Sequence, residues 1–207
     1  MPVISLPHVQ DNFYTDPDGV RSMALNSNYG LTGKSKFNSQ CAKPDPVFIQ
    51  NGLDLLLNVV GQQWRPYFLE SFFVSETEED ETKTRKNGAW VHYDRGSLIA
   101  LIYLNIPEQC KGGTAFWRHK RTQISNRTDL VSYCDAHGQC IDRIMDDACD
   151  STAWENMSTI EMKYNRLVVF NPQNFHAATG YFGDNRLNSR LFHQYVFDEQ
   201  VVSKAAE

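Results

Sequence analysis

The sequence predicts a mostly β domain with flanking α-helices, and three observations carry that prediction. Residues 98–104 are apolar at nearly every position. Ile99, Leu101 and Tyr103 share one face and Leu98, Ala100, Ile102 and Leu104 the other, so both faces must be covered, as in a central strand of a packed barrel. Three further segments, 67–74, 167–170 and 190–197, are rich in β-branched and aromatic residues. One segment, 46–60, has the spacing of an amphipathic helix instead. The chain of 207 residues is long enough for a substantial interior. We expect one domain over 1–207, with helical support over about 1–66 and a β core over about 67–198.

In chain order, Thr15-Asp16-Pro17-Asp18-Gly19 is a helix-start signal, followed by a short helix with Val20, Met23 and Ala24 on one face. Residues 26–43 are rich in Ser, Asn, Gly and Lys and read as a loop. Asp45 caps the main helix and Pro46 fits its first position. Ile49, Leu53, Leu56, Leu57 and Val60 form its stripe, and Gly61 gives a stop. The acidic run Glu76 to Glu81 reads as a solvated hairpin tip. Residues 118–158 read as a long polar insertion with a short helix around 142–149, part of it near the mouth of the core. Residues 180–189 form a hairpin connection into the last strand, 190–197.

The chemistry concentrates in Trp90-Val91-His92-Tyr93-Asp94. In an extended chain residues i and i+2 point to the same face, so His92 and Asp94 can converge on one ion. His176, after the 167–170 segment, can supply a second imidazole. Two histidines and one carboxylate on one side of an ion leave the opposite positions open, which is the donor set of non-haem Fe(II) oxygenases. A His-x-Asp alone is also the ordinary composition of a strand end or turn. The order of the surrounding segments is what singles this one out.

That order resembles the prolyl 4-hydroxylase-like branch of the 2-oxoglutarate and Fe(II)-dependent dioxygenases over about residues 88–198. The matching parts are His92 and Asp94, the strand ending Tyr103-Leu104-Asn105, Gly112-Gly113, Leu167-Val168-Val169-Phe170, His176 and Arg190. The resemblance implies a double-stranded β-helix, the jelly-roll or cupin-like core. It implies Fe(II) on His92, Asp94 and His176, which Mn, Co, Ni or Zn can replace in purified material. It also implies 2-oxoglutarate as cosubstrate, decarboxylated to succinate and CO2 while a substrate is oxidised. Halogenating relatives lack the carboxylate, so Asp94 points to hydroxylation or a related oxidation. An arginine is expected to fork the far carboxylate of 2-oxoglutarate. Arg190 is preferred because it opens the last strand; Arg186, nearer the usual family spacing, is the competitor. Tyr103 matches the family tyrosine that reaches the same carboxylate. Two rival readings stay open. One is a silent jelly roll that binds a ligand or partner, and the other is a cupin-type metalloenzyme that uses no 2-oxoglutarate and needs no buried arginine.

A net charge of −5 offers no global basic field for a nucleic-acid backbone, and Arg118-His119-Lys120-Arg121 reads as solvated surface. A small-molecule or peptide substrate is expected, with the oligomeric state open. No apolar run reaches the length of a membrane span, and residues 1–7 lack the features of a signal peptide, so a cytoplasmic location is expected. Of the five cysteines, Cys134, Cys140 and Cys149 lie near His137, which makes a zinc site conceivable. Their irregular spacing favours reduced thiols. His8, His119 and His137 are expected to be solvated, and His193 to alternate away from Arg190.

Overall fold

The computed structural model describes residues 6–31, 40–61, 64–76, 90–138 and 141–199. Ten strands run in chain order as β1 (His8–Gln10), β2 (Gly30–Leu31), β3 (Gln40–Ala42), β4 (Trp64–Glu76), β5 (Leu98–Tyr103), β6 (Gly113–His119), β7 (Trp154–Glu161), β8 (Leu167–Phe170), β9 (His176–Ala178) and β10 (Arg190–Glu199). Among the described residues four α-helices accompany them: α1 (Pro17–Asn26), α2 (Pro46–Val60), α3 (Arg127–His137) and α4 (Ile141–Met145). Seven strands form a major antiparallel sheet in the order β1-β8-β5-β10-β4-β3-β2, and three form a minor one, β7-β6-β9.

Strand β5 explains how the layers are arranged. It pairs with β8 on one side and β10 on the other, and all six of its residues are buried. Ile99, Leu101 and Tyr103 face the minor sheet in one cluster with Phe116, Phe170 and Phe192. Leu98, Ala100 and Ile102 face outward in a second cluster with Phe13, Leu53, Leu56 and Val60. The two-sided apolar pattern therefore serves two cores. Each fully buried aliphatic side chain contributes roughly 1.5–3 kcal/mol, so neither face tolerates polar substitution.

The helix of the second cluster forms where its signals place it. Asp45 accepts a hydrogen bond from the Val47 N–H at the start of α2, and Gly61, with φ of 101°, ends it. Helix α1 starts at Pro17, with the Asp16 side chain accepting from the Gly19 N–H. Val20 and Ala24 are buried, but Met23 is largely exposed, so the buried stripe of α1 is narrower than expected.

Three differences from the sequence reading have physical reasons. The N-terminal portion is more than helical support: β1 pairs with β8, and β2 and β3 extend the edge of β4. Strands of two or three residues show no periodicity to read, which is why 26–43 looks like a loop; residues 32–39 lie outside the described ones. The segment 118–158 is no open insertion. It holds the end of β6, helices α3 and α4, 3-10 turns at Asp146–Cys149 and Ser151–Ala153, and most of β7. The helices and turns cover the outer face of the minor sheet in a third cluster of Val91, Leu130, Cys134, Ile144, Trp154 and Phe175. Helix α3 buries only Leu130 and Cys134, too few positions to stand out. Finally, His119 is buried rather than solvated: Nδ1 meets Thr122 Oγ1 at 2.8 Å and Nε2 meets Asp147 Oδ2 at 3.1 Å. His137 is exposed, its Nδ1 on the Tyr133 carbonyl.

Two facing antiparallel sheets with an apolar interior and helices outside constitute a double-stranded β-helix, the jelly roll. Cys41 and Cys110 are free thiols; Cys140 and the acidic residues after Glu76 lie outside the described residues. Among the described residues no helix is long and apolar enough to cross a membrane.

His193 points away from Arg190, into the outer cluster, fully buried with Nδ1 2.7 Å from the Tyr14 hydroxyl. Burial pushes its pKa down to about 3. Below the ordinary histidine pKa of about 6.5 the unfolded chain takes up a proton that the folded one refuses, so this stabilisation is present above that pH and is lost as pH falls toward 3. The slope is about 1.4 kcal/mol per pH unit at most. Urea unfolding at pH 7 and pH 5 should show a smaller loss of stability for His193→Gln than for the parent protein.

Candidate metal centre

His92 lies outside the named strands, yet it forms an isolated antiparallel bridge with His176 at the start of β9. The His92 N–H donates to the His176 carbonyl at 3.0 Å and the His176 N–H donates back at 2.9 Å. Residues directly opposite in an antiparallel pair present their side chains on one face, and the two imidazoles stand with centroids 4.4 Å apart. Asp94 is fixed by the same neighbouring segment. Its N–H donates to the Pro172 carbonyl at 2.9 Å, and the Gln173 side-chain amide donates to the Asp94 and Gly96 carbonyls at 2.8 and 3.3 Å. Gly96 then turns the chain into β5 with φ of 92°, where a Cβ would lie 2.8 Å from Val196 Cγ1.

The ring nitrogens have separate duties. His92 Nδ1 lies 3.1 Å from the Trp90 carbonyl and His176 Nδ1 lies 2.8 Å from the Asn174 carbonyl. A carbonyl oxygen only accepts, so both Nδ1 atoms carry hydrogen and both Nε2 atoms face the centre. There they lie 3.7 and 3.4 Å from Asp94 Oδ2. The three donor atoms are within 4.8 Å of one another, and the described residues contain no other such group of three. Three electron-pair donors facing each other need a cation or a shared proton between them. Burial alone would raise the Asp94 pKa, but with a proton shared at the centre the hydrogen bond to His176 and the positive charge on the imidazoles outweigh it and hold the carboxyl low. The Trp90 ring stacks on His92 with centroids 4.1 Å apart, which fixes the imidazole plane.

A narrow cavity of about 110 Å³ leads from these three side chains between Thr114, Phe170, Tyr181 and Phe192 to Arg190. Arg190 is 2% exposed. Its Nε lies 3.2 Å from Glu76 Oε2, while Nη1 is buried without a hydrogen-bond partner. Burial opposes the charge, but Tyr103, Glu76 and Tyr181 together raise the Arg190 pKa above its ordinary value. The Tyr103 hydroxyl meets Thr114 Oγ1 at 2.7 Å, and its ring lies 5.3 Å from the Arg190 guanidinium. Tyr103 thus stands behind the cavity wall rather than on it. A wider cavity of about 790 Å³ opens on the other side of Asp94 and shares Asp94, Ile99 and Gln194 with the narrow one.

Arg186, the competing arginine, is not part of either cavity. Its Nη1 donates to the Ser27 carbonyl at 3.0 Å, beyond the C-terminus of α1, and its guanidinium lies over the Tyr29 ring at 4.3 Å. A turn residue outside the β10 alternation has no route to the interior. Cys134, His137 and Cys149 form no metal-binding group among the described residues.

Residues 8–180 match DUF6445, a family of unknown function, and the chain belongs to that family. No curated protein matches it. Among solved structures it is similar to HygX from Streptomyces hygroscopicus with nickel and 2-oxoglutarate bound: 14% identity, 93% of this chain and 82% of HygX covered, TM-score 0.56. It is also similar to SnoN, a non-heme alpha-ketoglutarate-dependent epimerase from nogalamycin biosynthesis, at 10% identity, with 96% and 84% covered and a TM-score of 0.54. These likenesses agree on the double-stranded β-helix.

Sequence reasoning missed Trp90, Glu76, Thr114, Tyr181 and Gln173 as neighbours of the site. Trp90 was within reach, since it stands two residues before His92 and obeys the same alternation. Tyr181 and Gln173 sit in turns, where no period assigns a direction. If Gln173 anchors Asp94 as this geometry indicates, Gln173→Ala should weaken Co(II) or Mn(II) binding about 10–100-fold, the usual effect of removing a group that orients a ligand. Metal titration of the folded variant measures this.

Proposed function

We propose that this protein is a non-haem Fe(II) oxygenase that couples decarboxylation of 2-oxoglutarate to oxidation, most simply hydroxylation, of a small-molecule or peptide substrate. The observation that carries the reading is the narrow cavity: a His92, Asp94 and His176 face at one end and the buried Arg190 guanidinium at the other. The donor set suits Fe(II), with imidazole and carboxylate on one side and open positions opposite. The unpartnered Arg190 Nη1 suits a carboxylate at the closed end. HygX carries nickel and 2-oxoglutarate on the same fold, which supports the pairing. The order of His92, Asp94, Tyr103, Gly112-Gly113, His176 and Arg190 further supports the prolyl 4-hydroxylase-like branch.

When bound, Fe(II) with 2-oxoglutarate and O2 would supply the oxidising power, with succinate and CO2 as co-products. The chain's own part is positional. His92 and His176 present Nε2 because the backbone carbonyls of Trp90 and Asn174 hold their Nδ1 hydrogens. Asp94 stays ionised at neutral pH. Arg190 fixes the far carboxylate of the cosubstrate, with Tyr103 and Thr114 behind it. Phe170 and Phe192 keep the passage apolar and exclude water. The ion pair with Glu76 favours a second reading, a metalloenzyme of the same fold in which Arg190 already has its counter-charge and no 2-oxoglutarate enters.

Two measurements test these readings, the first the metal site common to both and the second the cosubstrate that separates them. Metal analysis should find one Fe(II), Co(II) or Mn(II) per chain, lost in His92→Ala and in His176→Ala while circular dichroism stays unchanged. Retention of full metal by both variants would sink the site. The iron-loaded protein, titrated with 2-oxoglutarate under nitrogen, should develop a metal-to-ligand charge-transfer band. Arg190→Met should weaken that binding by about 2–5 kcal/mol, as when one partner of a buried charge pair is truncated, and Arg186→Met should leave it intact. Iron binding with no such band in the parent protein favours the second reading.

A further inference from the structure

The wider cavity has a charge pattern that the metal and cosubstrate do not use. Its wall holds Arg95 and Arg127, and among the described residues its single acid is Asp94, whose carboxylate turns toward the two histidines. Both arginines are exposed, and among the described residues neither has a carboxylate within ion-pair distance. Their backbones are nonetheless fixed. The Arg127 N–H donates to the Gln173 carbonyl at 2.8 Å, and Asn126 forms an isolated bridge with Asn174. The Gln173 side chain in turn holds the carbonyls on either side of Arg95, those of Asp94 and Gly96. One residue thus ties both cationic segments to the metal centre. The Arg127 guanidinium lies 5.7 Å from the Tyr93 ring centroid, aligned along the wall. Arg127 is also the first residue of α3, whose N-terminal end favours negative charge. Ile99, Val196 and the Tyr93 ring give the rest of the space an apolar surface.

We propose that the wider cavity is the prime-substrate pocket, and that Arg95 and Arg127 clamp an anionic group, carboxylate or phosphate, of a small molecule with an apolar body. The proposal rests on the oxygenase reading for the word substrate, and on the cavity alone for the anion. A net charge of −5 repels extended polyanions while two local guanidinium groups attract a compact one. The anion at Arg95 and Arg127 would orient the body past Ile99 and Gln194, the residues common to both cavities, so that a C–H bond lies beside the Asp94 face.

The test uses the Mn(II)-loaded protein saturated with 2-oxoglutarate and three matched probes: phenylacetate, phenyl phosphate and phenylacetamide, titrated by calorimetry. The acids should bind about tenfold or more tightly than the neutral amide, the scale of one or two hydrogen bonds to a charged group. Whichever acid binds more tightly identifies the anion. The double variant Arg95→Met and Arg127→Met should bring the acids down to the amide's level, with thermal unfolding unchanged because both side chains are exposed. Arg186→Met, at a residue outside both cavities, should leave acid binding as it was. Equal binding of the amide, or full acid affinity in the double variant, overturns the clamp. So does displacement of the acids by rising 2-oxoglutarate, which would put the anion in the narrow cavity. If the acids bind through Arg95 and Arg127 but the iron protein shows no 2-oxoglutarate band, the clamp stands and the oxygenase reading falls.

Discussion

Two backbone hydrogen bonds, exchanged between His92 and His176, govern the geometry of everything described around the site. They are ordinary sheet bonds, each of modest net worth. Their importance lies in register. A slip of one residue would turn both imidazoles to the opposite face, toward the cluster of Val91, Trp154 and Phe175. The bond from the Asp94 N–H to the Pro172 carbonyl and the bonds from Gln173 continue the same pairing past the bridge. The turn of residues 92–96 is thereby locked to residues 172–176 by five hydrogen bonds, with no contribution from the side chains that face the centre.

Strands β5 and β10 act as a wall between two jobs. Their inward residues, Ile99 and Leu101 on one and Arg190, Phe192, Gln194 and Val196 on the other, shape the cavities. Their outward residues, Leu98, Ala100, Ile102, Leu191, Tyr195 and Phe197, belong to the cluster under α1 and α2. The interior charge of Arg190 is sustainable because Glu76, across the β4–β10 register, meets it directly. A guanidinium at that depth without a nearby carboxylate or aromatic face would be severely penalised by desolvation.

What the sequence made legible follows from how strongly each feature is periodic. The two-sided pattern of β5, the capped stripe of α2 and the alternation placing Arg190, Phe192 and Gln194 together against His193 were all readable, because burial on a defined face leaves a spacing. The pair His92 and Asp94 was readable for the same reason, and His176 through its position after β8. The third cluster was not. Helix α3 lies over the outside of the minor sheet and strand β7 forms its edge, both with few buried residues, so their sequences look polar. The turn residues Gln173 and Tyr181 were equally hidden, since turns carry backbone chemistry rather than a repeating direction. Arg186 shows the opposite hazard: family spacing pointed toward it, while its place outside β10 put it on the far side of the sheet.

The bridge between His92 and His176 has a further consequence for how the protein comes into being. The two residues are far apart in the chain, with β5, β6, α3, α4, β7 and β8 between them, so the donor set does not exist until both sheets have closed. An unfolded chain carries the same imidazoles and carboxylate without the convergence that gives them affinity. Any ion held there therefore draws the population toward the closed state by mass action. For an ion bound at this bridge, its supply would then set how much folded protein persists, separately from any chemistry.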